Sequence, residues 1–454
     1  MTGTVPEVNV LKQVKTKWRD TRMMKHRLLT IGAALVSIAV IAGCGEKAAD
    51  KTAEKVDPVK SISTEPVTLK ATSSGISIDE NYLNTMKDLI KKHHPNITLD
   101  FIQPGKSNEL TDMIAAGNTP DLVFTHTGMI VPLQANGILY DLNPLVKQHK
   151  VDLNRFDKPY LDDVYMTSTK GELFALPLYS KYHALYYNKS LFDKFGAPYP
   201  KDGMTMNETV ELAKRVSRVE GATTYRGLNT GSNIIWIAQP LSLFTVDGEK
   251  PIVNTDGWRK MFDFGKTIYS IPGNSWTSVS PRTQFLKEQT LSMFLFQNLL
   301  DELSTPTQEG LNWDVVQYPS FPENPNVYPS SSTDVVMITS TSKYKEQALQ
   351  VLNVLTSDEI QLMRSRQGVI TVLSNPEIKK AFGTEIKFAE GKNLPGILKS
   401  KPALSPPISA YRQAAEGIVR RKFEDYLNNV ADVNSILRMA EEEINKLIAT
   451  EKSK

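Results

Sequence analysis

The chain has 454 residues, 40% of them hydrophobic and 23% charged, an ordinary globular composition that excludes a disordered or fibrous protein. Residues 1–43 hold seven Lys/Arg and two acids, so the formal net charge of +3 belongs to the N-terminus; the remainder carries 46 basic and 48 acidic residues and gives no electrostatic reason to expect nucleic acid. A single core stops growing at roughly 250–300 residues, so two lobes are expected, and no repeat of solenoid length is present.

Met23-Met24-Lys25-His26-Arg27 is a short basic run, followed by the uncharged stretch Leu28 to Ile41. That stretch fits the apolar region of a signal peptide and is short for a membrane span, which needs about 20 residues. Ile41-Ala42-Gly43-Cys44 follows, and these four residues resemble the lipobox of bacterial lipoproteins. Lipid transfer needs a thiol for its thioether, and the peptidase needs small residues before it. Cys44 is the only cysteine in the chain. No internal disulfide can form, and an unpaired thiol in an exported protein is accounted for by lipid attachment. The expectation is a signal peptide over 1–43, with 1–22 upstream of a true start at Met23 or Met24. A lipid-anchored flexible linker is expected over 44–61.

The exported body opens with strand–helix alternation. Val67-Thr-Leu-Lys-Ala alternates apolar and polar residues as a strand does. Asn81 to His94 is helical, with Leu83, Met86, Leu89 and Ile90 on one stripe, and Pro95 stops it. Ile97 to Ile102 is a second strand, Ser107 to Ala116 a short helix ended by Gly117, and Asp121 to Phe124 a third strand. This alternation implies a parallel sheet covered on both faces, with ligands at the carboxyl ends of its strands, where Thr125-His126-Thr127-Gly128 falls. Phe174–Pro177 and His183–Tyr187 read as two extended pieces connecting lobes. Thr205-Met-Asn-Glu208 is a capping box for a helix through Val219. Asp256 begins a helix with Trp258, Met261, Phe262 and Ile268 on its apolar side. Val335 to Ile338 is a strand, Lys343 to Thr356 a helix, and Ser357 starts another; Ala410 to Ile448 is helical with little interruption.

Several segments together resemble extracellular solute-binding protein family 1 of ABC importers, the maltose-binding-protein-like group. They run in the family's order: Met113–Leu122 (MIAAGNTPDL), Gly137–Pro144, Gly171–Pro177, Ala184–Phe192 and Lys201–Thr205, then Phe285–Met293, Ala348–Glu359 and Asp432–Leu437. Met206 stands where related sequences usually have Trp. The resemblance implies an α/β, two-lobed periplasmic-binding-protein-like fold of type II, with a ligand cleft between the lobes. Lobe 1 would hold 62–181 and 334–370, and lobe 2 would hold 182–333 and 371–454. It further implies a small solute, an oligosaccharide, delivered to ABC permease subunits in the membrane, with no cofactor, no metal and no nucleic acid.

Carried over position by position, the resemblance nominates Thr125, His126 and Thr127 on one wall, and Tyr179, Lys181 and Tyr182 on the crossing segment. Trp236 matches an aromatic position that stacks on sugar rings, Gln297 and Asn298 follow the strand after Met293, and Trp276 and Tyr411 complete the set. Sugar C–H faces pack on aromatic planes for around 0.5–1.5 kcal/mol per pair. Each of these residues also has a structural role open to it: Trp as core, Lys181 as surface charge, His126 as a satisfied histidine. The alternatives are a non-sugar solute (polyamine, peptide or anion) in the same fold, or a surface hydrolase. Only Arg226 lies near the candidate loops, which weighs against an anion. The sequence has no Gly-x-Ser-x-Gly elbow, His-Glu-x-x-His, phosphate loop or metal-spaced Cys/His cluster, which weighs against an enzyme.

Overall fold

The computed structural model describes residues 62–453 apart from 107, 108, 232 and 331. The expected signal peptide, Cys44 and the linker to 61 lie outside the described residues.

In chain order, strand β1 (Val67–Ser73) leads to helix α1 (Glu80–His93), β2 (Ile97–Ile102), α2 (Leu110–Ala115), β3 (Leu122–His126) and α3 (Thr127–Gln134). Next come α4 (Lys158–Tyr165), β4 (Leu176–Ser180), β5 (His183–Asn188), α5 (Met206–Val216), β6 (Arg218–Glu220) and β7 (Thr223–Asn229). They are followed by α6 (Ile234–Ala238), α7 (Asp256–Tyr269), β8 (Leu291–Gln297), β9 (Trp313–Val316) and β10 (Asp334–Ile338). The chain ends with α8 (Lys345–Leu355), α9 (Asp358–Arg366), β11 (Ile370–Thr371), α10 (Arg412–Leu427) and α11 (Val433–Lys452).

Local sequence explains most boundaries. The Asp79 carboxylate accepts from Tyr82 N at 2.8 Å and starts α1, whose buried stripe includes Leu83, Met86 and Ile90. The Thr205–Glu208 capping box closes in both directions, and Asp432 caps α11. The helix after Thr205 stops at Val216, short of the expected Val219. Residues 218–220 pair with β7 instead, around the positive-φ turn residue Gly221.

Two large sheets result, with strand orders β11-β4-β10-β3-β1-β2 and β9-β5-β8-β7-β6, beside two small two-stranded sheets among the described residues. The expected parallel sheet needs correction. Only β3–β1 and β1–β2 pair in parallel in the first sheet; β10 lies antiparallel to both β3 and β4, and β11 antiparallel to β4. β10 enters the first sheet after a long excursion through the second, so it arrives from the opposite direction to β3. The two sheets and their helices form the two-lobed mixed α/β fold.

The chain passes between sheets at Lys181–Tyr182, between β4 and β5, and again between β9 and β10. A third passage runs through residues 398–409 to α10. Residues 376–380 pack on α9 and β11, whereas Asn393 N donates to Asp314 Oδ1 beside β9 at 2.9 Å. The part of the chain that carries the second sheet has an aromatic core. Trp258 and Trp313 are fully buried, with indole N–H groups donating to Phe244 O at 3.0 Å and to Thr307 Oγ1 at 2.7 Å. Burial of such rings is a large share of the folding free energy, and satisfying the N–H removes the polar penalty.

Candidate functional site

β3 and β8, one from each sheet, bring their carboxyl ends to a common cavity of about 170 Å³. In α/β folds, ligands bind at such strand ends. From the first sheet's side come His126, the last residue of β3, and Lys181 on the crossing. From the second come Gln297, the last residue of β8, with Trp236 and Gln239. Arg412 and Glu416 of α10 and Pro406 of the third passage complete the wall. Larger hollows, of about 530 and 230 Å³, flank the third passage near Lys401 and Pro402. They have mainly apolar linings and lie away from the ends of β3 and β8, so the smaller polar cavity is the better candidate.

Trp236 is half-buried. Its ring meets His183 edge-on at 4.9 Å and Phe296 at 5.7 Å. Two sides of the indole are therefore fixed by the protein, which presets the ring's orientation. His183 is wholly buried, and burial drives its imidazole down to about 3, with the Gln297 amide offsetting part. It is thus a neutral aromatic wedge behind Trp236.

His126 is held down to about 4, first by burial and then by the Lys181 and Arg412 cations. It is neutral at physiological pH, and its Nδ1 has no hydrogen-bond partner among the described residues. Gly75 and Gly128 flank its ring; a methyl group on Gly128 would lie 3.0 Å from the imidazole. Lys181 Nζ sits 3.3 Å from Asp334 Oδ1. Burial pushes that carboxyl up to about 6, with Lys181 opposing the rise.

Four of the eleven nominated residues, His126, Lys181, Trp236 and Gln297, line this cavity. The other seven lie outside its lining. Thr125 is buried and donates to Ser74 O at 2.8 Å. Thr127 donates to Asp163 Oδ2 at 2.8 Å. Tyr179 packs on Tyr82 at 6.3 Å, and its hydroxyl faces Asp334. Tyr182 is buried, its ring against Phe382 at 5.6 Å. β-strand alternation sends neighbouring side chains to opposite faces, so a run of nominated residues cannot all reach one space. Asn298 accepts from Tyr182 N at 2.9 Å, and its own N–H donates to Tyr182 O at 3.1 Å, which latches β8 to the crossing. Trp276 packs edge-on against Tyr269 at 5.3 Å. Tyr411 precedes α10, its N–H donating to Ser409 Oγ at 3.1 Å.

Gln239, Arg412 and Glu416 escaped the sequence. Arg412, Glu416 and Arg420 sit four apart on a helix that buries Ala415 and Val419. That spacing marks a charged edge beside an apolar face, but not the surface that the edge meets. The argument from Arg226 also needs correction: its Nε reaches Ser275 O at 3.4 Å, while the cavity's guanidinium is Arg412.

Residues 79–362 match the family model of bacterial extracellular solute-binding proteins. A binding protein of Brucella abortus (strain 2308) is 24% identical over 293 residues, covering 60% of this chain and 68% of the relative. An ABC substrate-binding protein of Listeria monocytogenes, solved with cycloalternan, superposes with a TM-score of 0.70 at 17% identity, covering 85% of this chain and 100% of that one. A sugar transporter from Rhizobium etli in an open conformation gives 0.69 at 18% identity, covering 83% and 99%. The sugar-binding protein MalE of Xanthomonas citri gives 0.68 at 16% identity, covering 85% and 98%. Among the described residues, no helix is long and apolar enough to cross a membrane.

Proposed function

The chain belongs to the bacterial extracellular solute-binding protein family, and on that premise we propose that it captures an oligosaccharide between its lobes and delivers it to the permease of an ABC importer. The observation that carries this reading is the composition of one cavity: a preset indole from one lobe faces polar groups from both, His126, Lys181, Gln239 and Gln297. An aromatic plane takes the C–H face of a sugar ring, and the polar groups take its hydroxyls. Similarity to structures described as sugar-binding or solved with a carbohydrate supports the same class.

The lobes in this proposal are 62–181 with 334–370 and 182–333 with 371–454. The packing of 376–380 on α9 favours carrying the first lobe further, to the loop before Leu394. A solute touching both walls binds the closed form better and shifts the population toward it; going from 1% to 99% closed requires about 5.5 kcal/mol of differential affinity. No bond in the solute is made or broken. The body is tethered outside the cell through a lipid on Cys44, which metabolic labelling with a fatty acid, abolished in Cys44→Ser, would reveal.

The test is a thermal-shift screen of mono- and oligosaccharides on the full chain, followed by Trp236→Ala on any hit. The substitution should weaken binding at least about ten-fold. Unchanged affinity removes Trp236 from the site, and a purified protein that consumes its sugar overturns the binding-only role.

A further inference from the structure

α10 reaches the cavity through its first residue, Arg412, and α3 only through His126, the residue before its first turn. The Thr127 N–H donates to Thr333 O at 2.9 Å and the Tyr411 N–H to Ser409 Oγ at 3.1 Å, and among the described residues no side chain caps the N–H groups that follow. Orphan N–H groups and the helix dipole make such ends positive. Arg412 is the first residue of α10, and its guanidinium lies over the start of α3. A methyl group on Gly128 would come within 2.7 Å of Arg412 Nη2, which shows how closely the guanidinium approaches the start of α3. Lys181 reaches the same cavity from the crossing.

Two carboxylates stand against the two cations, but neither pairs closely with Arg412. Glu416 lies 4.0 Å from Arg412 Nε and 3.9 Å from Arg420 Nη1, so one acid is shared by two guanidiniums without close pairing to either. Asp334 faces Lys181 at 3.3 Å from behind the crossing. Gln239, only 6% exposed, also lines the cavity, and its amide oxygen has no partner among the described residues. Beside the indole there is thus a polar pocket in which Lys181 and Arg412 are matched in number by Asp334 and Glu416, the Arg412 guanidinium has no closely paired carboxylate, and the Gln239 amide oxygen is open to a donor such as a sugar hydroxyl.

We propose that the solute is an acidic oligosaccharide whose uronate-type carboxylate binds between Arg412 and Lys181 while a sugar ring lies on Trp236. This inference rests on the sugar-binding reading above. A guanidinium matches a carboxylate in two parallel hydrogen bonds, which Glu416, 4.0 Å from Arg412 Nε, does not supply. A neutral sugar fills the indole face but leaves that fork without a carboxylate.

The test uses matched trisaccharides in gluco, galacto and manno configuration, each as the uronate and as its carboxyl-reduced neutral counterpart, titrated calorimetrically into the full chain. At least one uronate should bind at least about ten-fold more tightly than its neutral partner, with the preference shrinking as salt rises. Arg412→Gln should erase the preference, Arg412→Lys should keep part of it, and Lys181→Gln should reduce it independently, each in a protein whose melting temperature shows that it is folded. A neutral sugar binding as well as its acid, or a preference that survives Arg412→Gln, overturns the acidic class and leaves the sugar reading standing. A sulfated or phosphorylated ring that outbinds the uronate overturns the carboxylate. Binding of inorganic sulfate with no sugar of either kind overturns both readings.

Discussion

The crossing between the sheets and the cavity beside it are built from similar residues and treat their polar atoms in opposite ways. At the crossing, Asn298 exchanges two hydrogen bonds with the Tyr182 backbone. Nearby, the Gln361 amide donates to Leu178 O at 2.6 Å, and its oxygen accepts from Thr371 Oγ1 at 2.7 Å and from Val372 N at 3.3 Å. In the cavity wall, His126 Nδ1 and Gln239 Oε1 lack such partners among the described residues. A buried polar group without a partner costs stability that evolution retains only for a return elsewhere. At the cavity the unsatisfied atoms of His126 and Gln239 border the space a solute would enter, although other buried unsatisfied atoms, such as Thr245 Oγ1 and Gln350 Oε1, lie outside its lining.

The contrast can be broken most decisively at Gln361. Gln361→Leu strands two carbonyl- or hydroxyl-bearing partners and one N–H, and should cost about 2–4 kcal/mol of unfolding free energy in urea. Its effect on the affinity of the folded protein should be small; a neutral effect on stability would remove the distinction.

His183 gives the next largest effect, and it depends on pH. Its pKa in the folded protein, about 3, lies below the ordinary value of 6.5. The unfolded chain therefore takes up the proton first, and stability present above pH 6.5 is lost as pH falls toward 3. Relative to His183→Phe, the wild type should lose roughly 3 kcal/mol between pH 7 and pH 4, measured by denaturant melts. Parallel pH profiles in the two proteins would contradict the buried neutral wedge.

Asn298 carries a positive φ of 48° as well as its latch to Tyr182. Asn298→Ala loses the hydrogen bond and strains the backbone, and should cost about 1–2 kcal/mol, part of it recovered in Asn298→Gly. Equal losses in both variants would show that backbone strain plays no part.

Gln239→Leu should do least to the fold. Replacing an unsatisfied amide should change stability by under about 1 kcal/mol, in either direction, while weakening sugar binding measured by calorimetry. A large stability loss with intact binding would move Gln239 to the frame.

How much of this was legible follows from how local each signal is. The capping box at Thr205–Glu208 acts within four residues and was legible in the sequence, whereas the caps at Asp79 and Asp432 were not read from it, and the second divides a stretch expected to be helical from Ala410 to Ile448. The two lobes were legible from chain length and from motif order. The antiparallel placement of β10 was not, because it depends on a return from the second sheet that no local pattern records. Among site residues, Trp236 and Lys181 were reached through resemblance, while Tyr182 was nominated from the same segment and proved to be core. Arg412 and Glu416 were missed because the docking of α10 against the start of α3 is set by tertiary packing.

Closure of two lobes around a shared solute is the claim on which the rest depends, and small-angle X-ray scattering addresses it directly. Scattering from the full chain, with and without a saturating trisaccharide shown to bind by calorimetry, should give a smaller radius of gyration in the bound sample, and Trp236→Ala should need more sugar to reach it. Tight binding with an unchanged radius would contradict the account.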